Sequence, residues 1–313
     1  MIQYLSDRKI FLTGAVSGAI AGFLAFIFAR ILVEPQIQLA IDYEGARDEV
    51  MDHINDLDAA AGIKFPEPGP DIEIFSRGIQ RNIGIATGMV LMGLAFGLLI
   101  AVAFRIVLKV TAGQPPLTIR MTLLVIGLLG WISVFVVPAL KYPPNPPAIG
   151  HSWTIHQRGN LYLLTVVCSV VFMILAAYLA RRLSKSMDTW YAVIIAGACY
   201  VTAMCILFAI LPSLGSLAQN TQYFGTEVTY GSGDSAVTIP ITTETPLAAT
   251  DPSGAILFPG FPADVLSRFR MYSFIAQAII WLGASVIMGS WLSRMPGRKK
   301  NQSPAKKAAP AGV

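Results

Sequence analysis

Charged residues are scarce in this sequence. Only 13% of its 313 residues are Asp, Glu, Lys or Arg, whereas soluble domains carry about 25%. Hydrophobic residues make up 54% of the chain, and a water-soluble protein of this length cannot bury that share in one or two cores. The same figures exclude a disordered chain, and three cysteines are too few for a disulfide scaffold. The composition therefore indicates a polytopic membrane protein.

Six apolar stretches are long enough to cross the hydrocarbon core of a bilayer, which takes about 20 helical residues. Helices are the expected spanning form, because lipid offers backbone groups no hydrogen-bond partner and alternating strands are absent from the sequence. The predicted fold is an all-α integral membrane protein with six transmembrane helices. The predicted spans are residues 10–33, 83–104, 119–140, 161–180, 191–211 and 272–292.

The distribution of charge predicts the orientation of these spans. Fourteen of the 23 Lys and Arg residues fall on the side of the N-terminus, whereas 16 of the 18 acids fall on the other side. Cytoplasmic segments carry the excess of Lys and Arg, so both termini are predicted to be cytoplasmic. The cytoplasmic ends are residues 1–9 and a basic, disordered tail at 293–313; the extracytoplasmic segments are an acidic loop at 34–82, a proline-rich loop at 141–160 and a loop at 212–271.

The acidic loop contains a candidate metal site. Apolar residues recur at helical spacing between Ile37 and Leu57, which predicts an amphipathic helix along the membrane surface. On such a helix Glu49, His53 and Asp56 lie on one face, and two carboxylates with an imidazole can ligate a divalent transition-metal ion. The alternative is a solvated acidic face with one exposed histidine.

The proline-rich loop contains a second candidate metal site. Four prolines surround Asn145 within five residues, and this stiff segment cannot be helical. Its free carbonyl groups and Asn145 lie close in sequence to His151 and His156, so these groups are candidate metal ligands. The alternative is a rigid turn with two solvated histidines.

Arginines lie near the start of each helix that runs from the outside to the inside. A cation at a helix N-terminus opposes the helix dipole and needs a partner. These arginines are either interfacial anchors or members of an outer ring of ion pairs. The arginines are Arg77, Arg81, Arg158, Arg268 and Arg270, and the candidate partners are Glu34, Asp71, Glu73 and Asp264.

The predicted spans contain motifs for close helix packing and few ionisable residues. Repeated GxxxG patterns allow close approach of helices within one chain or in a homo-oligomer. They lie at Gly14, Gly18 and Gly22 on the first span, and at Gly84 and Gly88 and again at Gly93 and Gly97 on the second. No Asp, Glu, Lys or His lies near the middle of a span, which argues against a self-contained proton-driven pump. The sequence also has no nucleotide-binding GxxxxGK[ST] loop. In the segment 215–254, short β-prone pieces predict an exposed hairpin or an ordered lid.

Several stretches of the sequence together form a pattern that is typical of one family. They are Val33–Ile37, Ala40–Ile41, Tyr43–Glu44, Phe75–Arg81, Val137–Gly150, Thr154–Ile155 with Arg158, and Gly260–Arg270. In these stretches the sequence resembles the CbtA family, the probable subunits of a bacterial cobalt transporter. The resemblance implies a subunit of the bacterial plasma membrane that passes Co²⁺ for cobalamin synthesis, with a small, histidine-bearing single-span partner of the CbtB type.

Two functions from different classes remain at this point. The first is a divalent-cation permease subunit, in which outer acids collect the ion and the histidine-bearing loop removes part of its water shell. The second is a non-conducting scaffold subunit, which the absence of mid-membrane charge favours. No catalytic triad or zincin motif occurs, so we predict no enzymatic activity. We also predict no permanently bound cofactor, no nucleic-acid partner, and the lipid bilayer as the surroundings of the spans.

Overall fold

The computed structural model describes residues 6–60, 75–113, 115, 117–231, 233–250 and 256–295. It contains six helical segments that are long and apolar enough to cross a membrane, so the predicted all-α fold with six membrane-spanning helices is confirmed. Five of the predicted spans lie within one of these segments. The fifth predicted span ends at Leu211, one residue beyond the end of its helical segment at Ile210. The helices are α1 Asp7–Phe28, α2 Glu34–Ala60, α3 Arg77–Ile79, α4 Ile85–Val110, α5 Ile119–Trp131, α6 Val137–Lys141, α7 Ile155–Leu183, α8 Thr189–Ile210, α9 Ala218–Phe224 and α10 Ala263–Arg294.

The first span does not end at Glu34-Pro35. A π-helical turn, Ala29–Val33, joins α1 directly to α2, and a second one, Ile132–Val136, joins α5 to α6. Each of these turns ends two residues before a proline, Pro35 or Pro138. A proline ring clashes with the carbonyl group four residues earlier in a regular α-helix, and the wider turn lets the helix continue.

The amphipathic helix predicted between Ile37 and Leu57 lies in this continuous helical segment. Residues 34–60 are helical as predicted, but α2 continues α1 and packs beside the first turns of α10. Ala40 and Tyr43 of α2 share a buried cluster with Val265 of α10. A third π-helical turn, Gln80–Gly84, joins α3 to α4.

The main core lies between α1, α4, α5 and α10. Its buried cluster is apolar and includes Ile100, Phe104, Leu123, Trp281 and Met288. The ring of Trp281 stacks on Phe96 of α4, with the ring centroids 4.5 Å apart. This part of the chain is therefore held together by close apolar packing.

The glycine stripes form the contact between α1 and α4. A Cβ atom added to Gly18 would collide with the backbone of Gly93 and Gly97, and one added to Gly14 would collide with the carbonyl group of Gly97. Nothing lies within 4 Å of a Cβ atom added to Gly88, so the predicted pair of Gly84 and Gly88 is not part of this contact. The other GxxxG patterns bring two helices of the same chain together. These faces are not available to a second copy, and a homo-oligomer stays a prediction.

Helices α7 and α8 form a peripheral hairpin. Their contact buries Ala176, Ala196 and Met204 and a hydrogen bond of 2.7 Å between the hydroxyl groups of Ser169 and Tyr200. Both ends of the hairpin are tied to the rest of the chain. Lys141 Nζ donates to the carbonyl oxygen of Phe208 over 2.9 Å, and Arg181 Nη2 donates to that of Val110 over 2.9 Å.

The remaining segments assemble at one end of the bundle into what we term the cap. It comprises α2, the loop 142–154, the described part of the segment 211–262, and the first turns of α7 and α10. Within it, β1 Glu227–Tyr230 pairs antiparallel with β2 Val237–Pro240, and β3 Ala249–Thr250 pairs antiparallel with β4 Ile256–Phe258. The β1–β2 hairpin is largely exposed, whereas its base is anchored in the cap, because Gly215 N donates to Thr242 O over 3.2 Å.

Candidate functional site

An aromatic cluster joins three segments of the cap. The ring of Tyr43 on α2 lies 5.0 Å from that of Phe261 and 5.4 Å from that of Phe258, between centroids. Its hydroxyl group donates to the carbonyl oxygen of Pro259 over 3.0 Å. Ile149 of the proline-rich loop and Val265 of α10 complete this buried cluster. The apolar contacts hold α2, the proline-rich loop and the chain before α10 in fixed relative positions.

A buried carboxylate, that of Glu244, lies at the centre of the polar part of the cap. Only 4% of this residue is exposed. Its Oε1 accepts hydrogen bonds from Thr154 Oγ1 at 2.6 Å and from Asn220 Nδ2 at 2.7 Å. Its Oε2 accepts from the backbone N–H of His151 at 3.3 Å and forms an ion pair with Arg158, 3.2 Å from Nε. A buried carboxylate needs such partners to offset its lost hydration.

The second buried polar residue of the cap is Asn220, on the short helix α9. Only 2% of it is exposed, and four groups surround its amide. Besides the bond to Glu244, Nδ2 donates to the carbonyl oxygen of Leu214 over 2.9 Å. Its Oδ1 lies 3.1 Å from Trp153 Nε1 and 2.9 Å from His151 Nδ1. Asn220 thus connects the carboxylate with the imidazole.

The imidazole of His151 lies in an aromatic stack. Its ring centroid is 4.6 Å from that of Trp153, nearly parallel at 9°, and 4.9 Å from that of Phe224. Burial lowers the pKa of His151 below its ordinary value, and the hydrogen bond with Asn220 and the charge of Glu244 oppose that shift only in part. The balance favours a neutral ring, which is the form that binds metal ions.

The last residue of the proline-rich stretch, Gly150, is required by its surroundings. Its φ of +111° is a conformation that residues with a side chain rarely adopt. A Cβ atom here would also collide with the guanidinium group of Arg158. That group donates from Nη2 to the carbonyl oxygen of His151 over 3.2 Å. Gly150 therefore allows Arg158 to lie against the loop that carries His151.

The amide of Asn145 binds the start of the last long helix. Its Oδ1 accepts a hydrogen bond of 2.8 Å from Arg270 Nη2. The proline-rich loop is also tied to the chain after α8, because the hydroxyl group of Tyr142 donates to the carbonyl oxygen of Pro212 over 2.9 Å. These bonds fix the loop at both sides.

Two other predicted metal ligands are exposed residues. His156 is exposed near the start of α7, and Glu49 is exposed on α2. The backbone of α2 includes His53 and Asp56, but their side chains lie outside the part that the structure describes. Among the described residues, no group of three or more His, Cys, Asp or Glu side chains is arranged to hold a metal ion.

Four arginines at helix starts have partners in or near the cap. Arg77 Nη2 lies 2.5 Å from Glu34 Oε1, and Arg268 Nη2 lies 3.8 Å from Asp264 Oδ2, as predicted. The predictions for Asp71 and Glu73 fall outside the described residues. Sequence reasoning missed the partners of Arg158 and Arg270, which are Glu244 and Asn145. The available signal for Glu244 was that it is the only charged residue between Asp234 and Asp251.

The stretches that carry the family resemblance meet in this one region. Each forms at least one contact with another of them or with the buried carboxylate, although they are far apart in the chain. The contacts are Glu34 with Arg77, Tyr43 with Phe261, Asn145 with Arg270, Ile149 with Val265, and Thr154 and Arg158 with Glu244.

Comparison with known proteins identifies the family of the chain. A family model described as CbtA, probable cobalt transporter subunit, matches residues 7–293. No curated protein and no solved structure matches the chain. The six candidate spans and the family match together indicate a multi-pass membrane protein. The chain belongs to the CbtA family of probable cobalt transporter subunits.

Proposed function

We propose that this chain is the integral membrane subunit of a divalent-cation uptake transporter whose cargo is Co²⁺ for cobalamin synthesis. The observation that carries the proposal is that the family's sequence stretches meet at the end of the bundle that also contains His151. A region built from these stretches, with a neutral imidazole among fixed polar groups, is suited to handling a borderline transition-metal ion.

The proposed location is the plasma membrane of a bacterium, with the cap outside and both termini in the cytoplasm. The charges support this orientation. The end of the bundle opposite the cap carries Arg8, Lys9, Arg105, Arg120 and Arg181, whereas the sequence assigns 16 of the 18 acids to the segments predicted for the other side of the membrane. Under the positive-inside rule, the basic end faces the cytoplasm.

In this proposal the ion is first concentrated and then partly dehydrated. The acids of α2, with Glu49, His53 and Asp56 as an outer collecting site, raise the local cation concentration. His151, His156 and Asn145 then replace water ligands. The carbonyl oxygen of Asn145 keeps a second lone pair beside its bond with Arg270, so that bond does not prevent it from binding a cation.

A partner chain completes the proposed transporter. The described residues provide no full set of metal ligands, so water or another protein supplies the rest. The resemblance implies a small, histidine-bearing single-span subunit of the CbtB type. In the proposal the chain itself has no enzymatic activity and no resident cofactor, and its cargo passes through in exchange for water ligands.

The scaffold function remains the second candidate because of one observation. The core between α1, α4, α5 and α10 is filled with apolar side chains such as Phe104, Leu123 and Trp281. A conducting path is usually lined by polar or ionisable groups. A subunit that holds partners and conducts nothing does not need such a path.

Reconstitution into liposomes distinguishes the two functions. Radiolabelled cobalt entry is measured with the chain alone and with a CbtB-type partner. The permease function predicts uptake that is lost in His151→Ala and reduced in His156→Ala, whereas Cys199→Ala, an exposed position on α8, leaves uptake unchanged. Absence of metal flux in both preparations would contradict the permease and leave the scaffold.

A further inference from the structure

The orientation of the Asn220 amide is determined by its neighbours. The indole N–H of Trp153 can only donate a hydrogen bond, so the atom that faces it at 3.1 Å must be the amide oxygen. The other end of the amide faces the carbonyl oxygen of Leu214 and the carboxylate of Glu244, which only accept. That end must therefore be the NH₂ group. Three neighbours independently require the same orientation.

This orientation determines which nitrogen of His151 carries the proton. Asn220 Oδ1 is an acceptor, and it lies 2.9 Å from His151 Nδ1. Nδ1 must therefore be the donor and carry the hydrogen. In a neutral imidazole the other nitrogen is then unprotonated, so Nε2 offers its lone pair. The hydrogen bond with Asn220 uses Nδ1 and does not involve Nε2.

We propose that Asn220 is a positioning residue that holds His151 in its Nδ1–H tautomer and thereby presents Nε2 as a ligand for a divalent transition-metal ion. The inference rests on the proposed function and names an atom of that site. In known metal sites a ligating histidine donates its other N–H group to a carboxylate, a carbonyl oxygen or water, which fixes the ring. The amide oxygen of Asn220 has this role here.

The surroundings make the arrangement rigid before any ion binds. Trp153 and Phe224 stack on the imidazole and fix its plane. Asn220 cannot rotate without breaking its bonds with Glu244 and Leu214. The buried carboxylate therefore contributes indirectly, because it holds the residue that holds the histidine.

The class of ligand follows from the donor atom. A neutral imidazole nitrogen suits Co²⁺, Ni²⁺, Zn²⁺ and Cu²⁺, whereas Mg²⁺ and Ca²⁺ prefer oxygen ligands. We expect Zn²⁺ to serve as a diamagnetic probe for this site. We expect Mg²⁺ at the same concentration to leave the His151 signals unchanged.

The experiment is ¹⁵N NMR of the full-length chain with labelled histidine in lipid nanodiscs. The chain has three histidines, so the signals of His151 are those retained in both His53→Gln and His156→Gln. The unsubstituted chain is expected to show the Nδ1–H tautomer of His151 at alkaline pH, and Zn²⁺ is expected to shift its Nε2 signal. An Nε2–H tautomer, or an Nε2 signal that Zn²⁺ does not move, would overturn the proposal.

A pair of neighbouring variants tests the role of Asn220. Asn220→Leu removes the amide oxygen, so the Nδ1–H tautomer should lose its majority and Zn²⁺ affinity should fall about 10- to 100-fold, as for other partners of metal-binding histidines. Gln219→Leu removes an amide on the same helix whose oxygen has no hydrogen-bond partner among the described residues, and it should change neither reading. An unchanged tautomer in Asn220→Leu would overturn the assignment.

The tautomer of His151 and the Zn²⁺ affinity are measured independently of transport. Absence of cobalt uptake together with Zn²⁺ binding at Nε2 would contradict the permease and retain the ligand assignment. Cobalt uptake together with an Nε2–H tautomer would retain the permease and overturn the role of Asn220.

Discussion

The α1–α4 contact and the cap are held together by different interactions. Between α1 and α4, glycine allows the two backbones to touch at Gly18 and Gly93. In the cap, the buried carboxylate of Glu244 is surrounded by hydrogen-bond donors and an arginine. The first contact depends on close packing of backbone atoms and involves no charged group. The second depends on a charged group and a fixed arrangement of hydrogen-bond donors and acceptors.

The two contacts therefore differ in role: the first holds the helices together, and the second arranges polar side chains. Lipid chains are as apolar as leucine, so helices in a membrane associate through close packing of small residues and not through the hydrophobic effect. Such a contact stabilises the bundle and recognises no ion. The cap contains the polar groups that we propose bind the ion, and its hydrogen bonds fix their orientation. It also contains stretches that carry the family resemblance. The bundle thus supports the cap, and the cap contains the candidate site.

The largest effect is expected from a side chain placed in the α1–α4 contact. In Gly18→Leu the new side chain would meet backbone atoms of Gly93 and Gly97, which cannot move without separating the helices. Overpacking of this kind typically costs about 1–3 kcal/mol, and a clash with backbone lies at or above the top of that range. We expect the yield of monodisperse protein in detergent to fall severalfold.

The matched control is a glycine on the same helix as Gly93. Nothing lies within 4 Å of a Cβ atom added to Gly88. Gly88→Leu should therefore give folded protein in nearly normal yield. Equal yields from Gly18→Leu and Gly88→Leu would contradict the close contact between α1 and α4.

A smaller and local effect is expected from removing the buried carboxylate. Glu244→Leu removes the ion-pair partner of Arg158 and one hydrogen-bond acceptor of the Asn220 amide. Loss of one member of a buried ion pair costs about 3–5 kcal/mol. We expect about 2–3 kcal/mol here, because a quarter of the Arg158 side chain is exposed and can be hydrated. Amide hydrogen exchange of residues 142–154 and 212–231 should become faster, while exchange in α4 stays unchanged.

A conservative change at the same position provides the control. Glu244→Gln keeps an acceptor oxygen for Thr154 and Asn220. It loses the charge, and it turns an NH₂ group in place of the second acceptor oxygen toward His151 N and Arg158. Its effect on exchange in the cap should lie between that of the unsubstituted chain and that of Glu244→Leu. If both variants retain normal protection, the carboxylate does not hold the cap together.

The sequence predicted the bundle better than the cap for a physical reason. Each span is a local property, because hydropathy over about 20 residues is sufficient to define it. The partners of His151 are distant in the chain: Asn220 lies 69 residues away, and Glu244 lies 93 residues from the same histidine. No periodicity connects such positions. Glu34 and Asp264 were predictable because the expected topology already placed them near arginines.

The sequence also did not predict that the helix continues through Pro35. A proline after an apolar run ordinarily indicates the end of a helix. The π-helical turn that lets the helix continue has no comparable sequence signal, and the same holds at Pro138. The consequence for function is direct, because continuity through Pro35 places Tyr43 of α2 in the cap.

The smallest effect is expected at an exposed ion pair on the rim of the cap. Arg268 and Asp264 are separated by 3.8 Å, and more than half of each side chain is exposed, 55% and 64%. Exposed pairs one helical turn apart contribute about 0.3–0.5 kcal/mol. Arg268→Ala should therefore leave the thermal unfolding temperature and the exchange of the cap almost unchanged.

Two residues farther along the same helix, Arg270 is the matched comparison for Arg268. Its Nη2 donates to Asn145 over 2.8 Å, in a part-buried position, and hydrogen bonds to charged groups contribute about 1.5–3 kcal/mol. Arg270→Ala should release the proline-rich loop, seen as faster exchange of residues 142–154, whereas Arg268→Ala should not. Equal effects of the two substitutions would mean that charge at this end of the bundle, and not the fixed hydrogen bonds of the cap, determines the position of the loop.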